Sequence, residues 1–140
     1  MKCSKKHKMK KRAKSKATTD IADKELQNAY RRRYAGEFCE SCLIQPFQVI
    51  HHHILKSKSN YLRFKQPKNY IKLCHFCHSR IIFGDNQIVA RYSLKRGKKW
   101  VKKMDELRKI RKSHYSKAEL NDIIIYYQKW KLKKEQPTRF

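Results

Sequence analysis

A small α+β domain, organised around a four-cysteine zinc site and flanked by one N-terminal helix and about three C-terminal helices, is the fold class this sequence predicts. Three observations point to it. Two C-x-x-C pairs, Cys39/Cys42 and Cys74/Cys77, have the spacing that lets two thiolates reach one tetrahedral ion. Short β-rich runs, Phe47 to Ile50 and Tyr70 to Leu73, lie between the pairs, and stretches with helical periodicity and caps lie on both sides. The chain of 140 residues has room for one domain and a small core.

Residues 1–18 carry nine Lys or Arg and no acid, and read as a disordered basic tail. They have no apolar segment behind the lysines and do not read as a secretory signal, and no stretch reaches transmembrane length. A first helix is predicted over 19–36, with Ile21, Leu26, Ala29 and Tyr30 at helical spacing, Thr19 or Asp20 as N-cap and Gly36 as the stop. Arg31, Arg32 and Arg33 close it, either as a solvated last turn or as a phosphate clamp. Residues 37–88 hold the knuckles and strands. Residues 89–136 form a basic helical extension: Val89 and Tyr92, with Ile88 just before them, on one stretch, Trp100, Val101, Met104 and Leu107 on a second after Gly97, and a third opened by a Ser116/Glu119 capping box and followed by Pro137.

Charge defines the partner class. Lys and Arg number 37 against 11 Asp and Glu, a formal net charge of +26, which would strain a small domain unless it met a polyanion. Nucleic acid, bound through its phosphates, is the natural one. A membrane role would want an amphipathic helix or lipidation signal that neither terminus offers. Arg63, Arg91, Lys95, Arg96, Lys98 and Lys99 join Arg31 to Arg33 as candidate phosphate contacts, within a run of eleven Lys or Arg between Arg91 and Lys112. Reduced thiols in an intracellular setting make Cys39, Cys42, Cys74 and Cys77 structural zinc ligands rather than disulfides; Cys3 is an incidental thiol. A closed four-Cys site leaves no open position, so any chemistry must come from other groups.

Those groups lie in the 31 residues between the knuckles and directly after them. An apolar strand ends in His52-His53-Ile54; a basic loop leads to Asn69; the strand YIKLC enters the second knuckle, and His78 follows Cys77. This order, from Cys39 to His78, resembles the HNH (ββα-metal, His-Me finger) endonucleases. The resemblance implies that His53 is the general base, that Asn69 braces the loop and orients His53, and that His52 and His78 hold one catalytic divalent ion, Mg²⁺ or Mn²⁺. A His stands at His52 where the family often has Asp, and nitrogen donors admit Co²⁺, Ni²⁺ or Zn²⁺ as well. His52 and His53 point to opposite strand faces unless the strand bends. His51 has no fixed role in the pattern, and His75 reads as exposed or bonded to backbone.

The segment NYLRFKQPKNYIKLCHFCHSRIIFGDN and the following ARYSLKRG look like the phage NinG/Rap-like recombination nucleases. That likeness implies a nuclease selective for branched DNA such as Holliday junctions and D-loops, working in the cytoplasm or nucleoid of a bacterial or phage-infected host. Two-fold junctions would suit a homodimer through the last helix, which could equally fold back onto the zinc core. The alternatives are a nicking, homing or restriction-type HNH enzyme, and a zinc-stabilised nucleic-acid binder without catalysis.

Overall fold

The computed structural model describes residues 19–55, 61–110 and 114–130. The basic tail with Cys3, Lys112, and residues 131–136 with Pro137 beyond them lie outside the described residues. The order is helix α1 (19–33), strand β1 (Val49–His52), a single 3-10 turn (Pro67–Asn69), strand β2 (Tyr70–Leu73), then α2 (His75–Ile82), α3 (Asn86–Arg96), α4 (Lys98–Arg108) and α5 (Lys117–Gln128). A small α+β domain with, among the described residues, five helices and a two-stranded sheet is therefore what forms. No helix among the described residues is long and apolar enough to cross a membrane.

The strands pair antiparallel with Val49 opposite Leu73 and His52 opposite Tyr70. β2 lies where the sequence places it, whereas β1 starts two residues later than the predicted Phe47. The reason is a competing bond: the Phe47 N–H goes to the Glu37 carbonyl (2.9 Å), and pairing with β2 begins only from Gln48, whose N–H meets the Leu73 carbonyl (2.9 Å). Thr19 and Asp20 are already helical rather than capping. The extension begins at α3, whose N-cap Asp85 accepts the Gln87 N–H (3.0 Å), three residues before the predicted boundary.

Strand alternation divides the interior into two cores, one on each face of the sheet. Ile71 and Leu73 face one layer with Ile54, Ile88, Tyr92, Trp100, Met104, Leu107 and three of the knuckle cysteines, Cys39, Cys74 and Cys77. Ile50 and Tyr70 face the other, with Ala22, Leu26, Ala29 and Tyr30 of α1 and Leu120, Ile123 and Tyr127 of α5. The last helix thus folds back, but onto α1 and the sheet face opposite the knuckles. Its capping box forms as predicted, with the Ser116 hydroxyl accepting the Glu119 N–H and the Glu119 carboxylate accepting the Ser116 N–H, both at 3.2 Å.

α3 and α4 are joined by Gly97 alone, at φ 88° and ψ 175°, a conformation that essentially only glycine adopts. That sharp corner sends Arg96 inward. Its guanidinium donates to both Glu40 oxygens (2.8 to 3.0 Å) and to the carbonyls of Tyr70 (2.7 Å) and Lys68 (2.9 Å), while Glu40 also accepts the Lys72 N–H (2.7 Å). Arg96, a candidate phosphate contact by sequence, instead clamps the helical extension to the first knuckle. With these side chains only 18% and 13% exposed, removing one charge strands the other. Arg96→Ala should cost about 3 kcal/mol, read as a lower denaturation midpoint. Substitution of Lys99, on the exposed face of α4, should change it by less than about 0.5 kcal/mol.

Candidate functional site

The four cysteine sulfurs lie within 4.8 Å of one another, and among the described residues no other set of three or more His, Cys, Asp or Glu donors is so gathered. Each knuckle has its own geometry. Cys39 and Cys42 sit on a turn in which the Leu43 N–H reaches the Cys39 carbonyl (3.0 Å) and Leu43 takes φ 61°. Cys74 caps α2, its sulfur accepting the Cys77 N–H at 3.4 Å. Burial and the neighbouring thiols push Cys77 up to about 12. Burial would also raise Cys42, but hydrogen bonds from the backbone of Gln45 and Ile44 bring it down to about 7. Such crowded thiols suit a dication that neutralises them together, and a four-thiol set fits Zn²⁺.

A cavity of about 740 Å³ opens along β1, walled by α1, β1, α2 and α3. His51, His52, His53 and His78 all line it, with Asp23, Gln27 and Tyr92. The chain bends at His53, directly after β1. His51 and His53 face the α2–α4 layer: the His51 ring is 5.4 Å from that of His78, and the His53 ring lies 5.6 Å from Tyr92 and 4.9 Å from Trp100. His52 faces the other layer, edge-on to Tyr70 at 5.2 Å. His78, proposed by sequence as the partner of His52, therefore has the ring of His51 as its near neighbour, a proximity the sequence reading did not assign. His75 is exposed.

Partner chemistry fixes the tautomers. Nε2 of His52 lies 3.0 Å from the Arg63 carbonyl, which can only accept, so this nitrogen carries the hydrogen and Nδ1 keeps its lone pair. Nε2 of His53 lies 3.2 Å from an Arg108 guanidinium nitrogen, which can only donate. That leaves the His53 hydrogen on Nδ1, 2.7 Å from the Tyr92 hydroxyl. Burial first, and then the charges of Arg108 and Arg96, hold His53 down at about 4. Burial pushes Tyr92 up to about 12, so it stays a phenol. Burial and the nearby His78, His52 and His53 lower His51 to about 4. His52 and His78 are lowered too, chiefly by burial.

Asn69 is fully buried and ties the β1–β2 connection together. Its side-chain oxygen accepts the Ile54 N–H (2.7 Å), its NH₂ donates to the carbonyls of Ile54 (3.0 Å) and Leu62 (2.9 Å), and its own carbonyl accepts the His53 N–H (3.0 Å). Asn69 thus acts on the backbone around His53 and not on its ring. The ring is set by Tyr92, Trp100 and Arg108, which sequence reading had placed in the core or in the basic surface. No local motif signals these contacts, which span 39 to 55 residues.

The candidate phosphate contacts divide. Arg91, Lys95, Lys98 and Lys99 are exposed on α3 and α4, and Arg63 is half-buried. Arg31 bonds Asn28 (2.7 Å). Arg32 caps the end of α5 through the carbonyls of Tyr127 (3.0 Å) and Trp130 (3.3 Å), and Arg33 stacks 3.7 Å from the centre of the Trp130 ring. Arg32 and Arg33 thus serve the α1–α5 contact, a use their sequence position does not reveal.

The lowered histidines predict a pH dependence. An unfolded His titrates near ~6.5, whereas His51 and His53 in the fold titrate at about 4. Between those values the unfolded chain binds more protons. The stability is therefore complete above pH 6.5 and is lost as pH falls toward 4. The combined loss is on the order of 3 kcal/mol after discounting for partial exposure. Denaturant titration at pH 7.5 and 5.5 should show His51→Asn losing less than wild type on acidification; equal losses would contradict the assignment.

Comparison with family models, curated proteins and solved structures finds no match to this chain.

Proposed function

We propose that this protein is a metal-dependent DNA endonuclease of the HNH type, in which β1, β2 and α2 form a ββα-metal core that Zn²⁺ on Cys39, Cys42, Cys74 and Cys77 holds together. The observation that carries the reading is the meeting of His52, His53 and His78 in one cavity beside basic helices, at the end of a strand whose exit loop is pinned by Asn69.

His53 is neutral at cellular pH with its Nε2 lone pair available as a base, since Nδ1 carries the hydrogen toward Tyr92. In this conformation Arg108 donates to that lone pair. A DNA phosphate offers the guanidinium a stronger, charge-assisted partner, so substrate would draw Arg108 off and let water take its place at Nε2. His52 presents Nδ1, with its Nε2–H held by a backbone carbonyl as metal-ligating histidines commonly are. His78 enters from the first turn of α2. A Mg²⁺ or Mn²⁺ ion held by His52 and His78 would neutralise charge developing on the non-bridging and leaving oxygens. Arg91, Lys95, Lys98 and Lys99 would track the phosphate backbone, a shape-based contact that suits branched recombination intermediates more than base-specific sites.

One observation favours a second reading, a zinc-stabilised nucleic-acid binder without catalysis: both ring nitrogens of His53 are engaged. Incubation with a four-way junction and a matched linear duplex, in Mg²⁺ and in Mn²⁺, separates the two. Cleavage of the junction in preference to the duplex is the expected result. Equal cutting of both would leave an HNH nuclease without branch selectivity, of a nicking, homing or restriction type. Binding of both with no cutting in either metal would leave the non-catalytic reading.

A further inference from the structure

Asp23 lies in α1, outside the segment that resembles a nuclease, and no motif singles it out. Its position follows from a neighbour. Gln27 pairs with β1 as a second strand would, its NH₂ donating to the Ile50 carbonyl and its oxygen accepting the Ile50 N–H, both at 2.8 Å. This two-way bond fixes α1 alongside the free edge of β1. Asp23 is one helical turn, about 5.4 Å, from Gln27 on the same face of α1. His52 is two strand residues, about 6.6 Å, from Ile50 on the same face of β1. Asp23 is thereby carried to His52, and its charge acts on the His52 ring.

The Asp23 side chain also has an unexplained feature. Its Oδ1 is buried without a hydrogen-bond partner, in a cavity where it is the one acid among the described lining residues. A buried carboxylate oxygen with no partner is costly and calls for a water or an ion. Imidazole donors line the same cavity: His52, whose Nδ1 lone pair is left open, and His78.

We propose that Asp23 is the third protein ligand of a divalent-cation site with His52 and His78, three groups that line one cavity and that a bound ion would draw together, with Asp23 delivered from α1 by the Gln27–Ile50 bond. The proposal rests on the nuclease reading above for the other two ligands. Asp23 brings a hard oxygen donor to the two imidazoles from another element. One carboxylate beside two imidazoles brings Mn²⁺ and Mg²⁺ within reach, where nitrogen donors alone favour the later transition metals. It also offsets part of the repulsion that a dication meets in a chain of net charge +26.

Mn²⁺ binding to the zinc-loaded full chain, followed by electron paramagnetic resonance of free Mn²⁺, tests this without reference to cleavage. Wild type should bind one Mn²⁺, and Asp23→Asn should bind it at least 10-fold more weakly with its zinc content unchanged. Substoichiometric Mn²⁺ added to wild type should broaden the Asp23 carboxyl ¹³C signal together with the His52 and His78 imidazole signals, a readout that does not depend on how the variant folds. Unchanged affinity in Asp23→Asn, or an Asp23 signal that stays sharp while the two imidazoles broaden, overturns the role of Asp23 and leaves the nuclease site standing. No saturable Mn²⁺ site in wild type, or one insensitive to His78→Ala, overturns both.

Discussion

Replacing Cys77 by serine should unfold the protein, and so should a chelator strong enough to strip the four-cysteine site. Cys77 is 2% exposed, and its sulfur belongs to the cluster that gathers the first knuckle, the end of β2 and the start of α2. Cys39, Cys74 and Cys77 are themselves members of the core that contains Ile71, Tyr92 and Trp100. The chain provides little to replace the ion: two strands of four residues each, and helices of 8 to 12 residues after β2. Structural zinc in small domains supplies ~10 kcal/mol or more of folding free energy, as much as the ~5–15 kcal/mol that a whole domain retains. Far-ultraviolet circular dichroism should show helix content collapsing on chelation and returning with Zn²⁺. Retention of a cooperative unfolding transition by metal-free protein would refute the structural role.

His53→Ala should lower DNA cleavage by ~10²–10⁴-fold, the range that a positioned general base contributes. DNA affinity should change little, because the exposed cations of α3 and α4 are untouched. The substitution removes a ring packed between Tyr92 and Trp100 and two hydrogen bonds, so stability should fall by about 2 kcal/mol, too little to unfold the chain. Arg108→Ala should behave differently. It frees Nε2 of His53 and removes a cation, and weaker substrate binding should outweigh any loss in the rate of the bound complex. Fluorescence anisotropy for binding beside single-turnover cleavage separates the two effects.

Local signals made much of this architecture legible. The C-x-x-C spacing named all four members of the cysteine cluster, periodicity located α1, α3, α4 and α5, and β2 lies where its β-rich run put it. Interactions between distant segments were not legible. β1 is displaced because Glu37 captures the Phe47 N–H, a competition that no local window reports. Arg96 looks like its exposed neighbours until Gly97 turns the chain and Glu40 meets it across 56 residues. Arg32 and Arg33 were assigned to solvent or phosphate because nothing nearby shows that α5 returns to them across about 95 residues.

The candidate site divides in the same way. Residues set by a short motif, His52, His53, Asn69 and His78, could be named from their order along the chain. Residues set by packing could not: Tyr92 and Arg108 on the two ring nitrogens of His53, His51 beside His78, and Asp23 in the same cavity as His52. Strand alternation did foresee that His52 and His53 would part to opposite faces, and the bend after β1 lets both still line one cavity.

Chemical rescue tests the role of His53 most directly. His53→Gly, zinc-loaded and with Mn²⁺ present, should bind a four-way junction like wild type but cut it at least 100-fold more slowly. Added imidazole should restore cleavage in proportion to its unprotonated fraction. Cleavage by His53→Gly at the wild-type rate, or wild-type protein that binds the junction and never cuts it, would contradict the account.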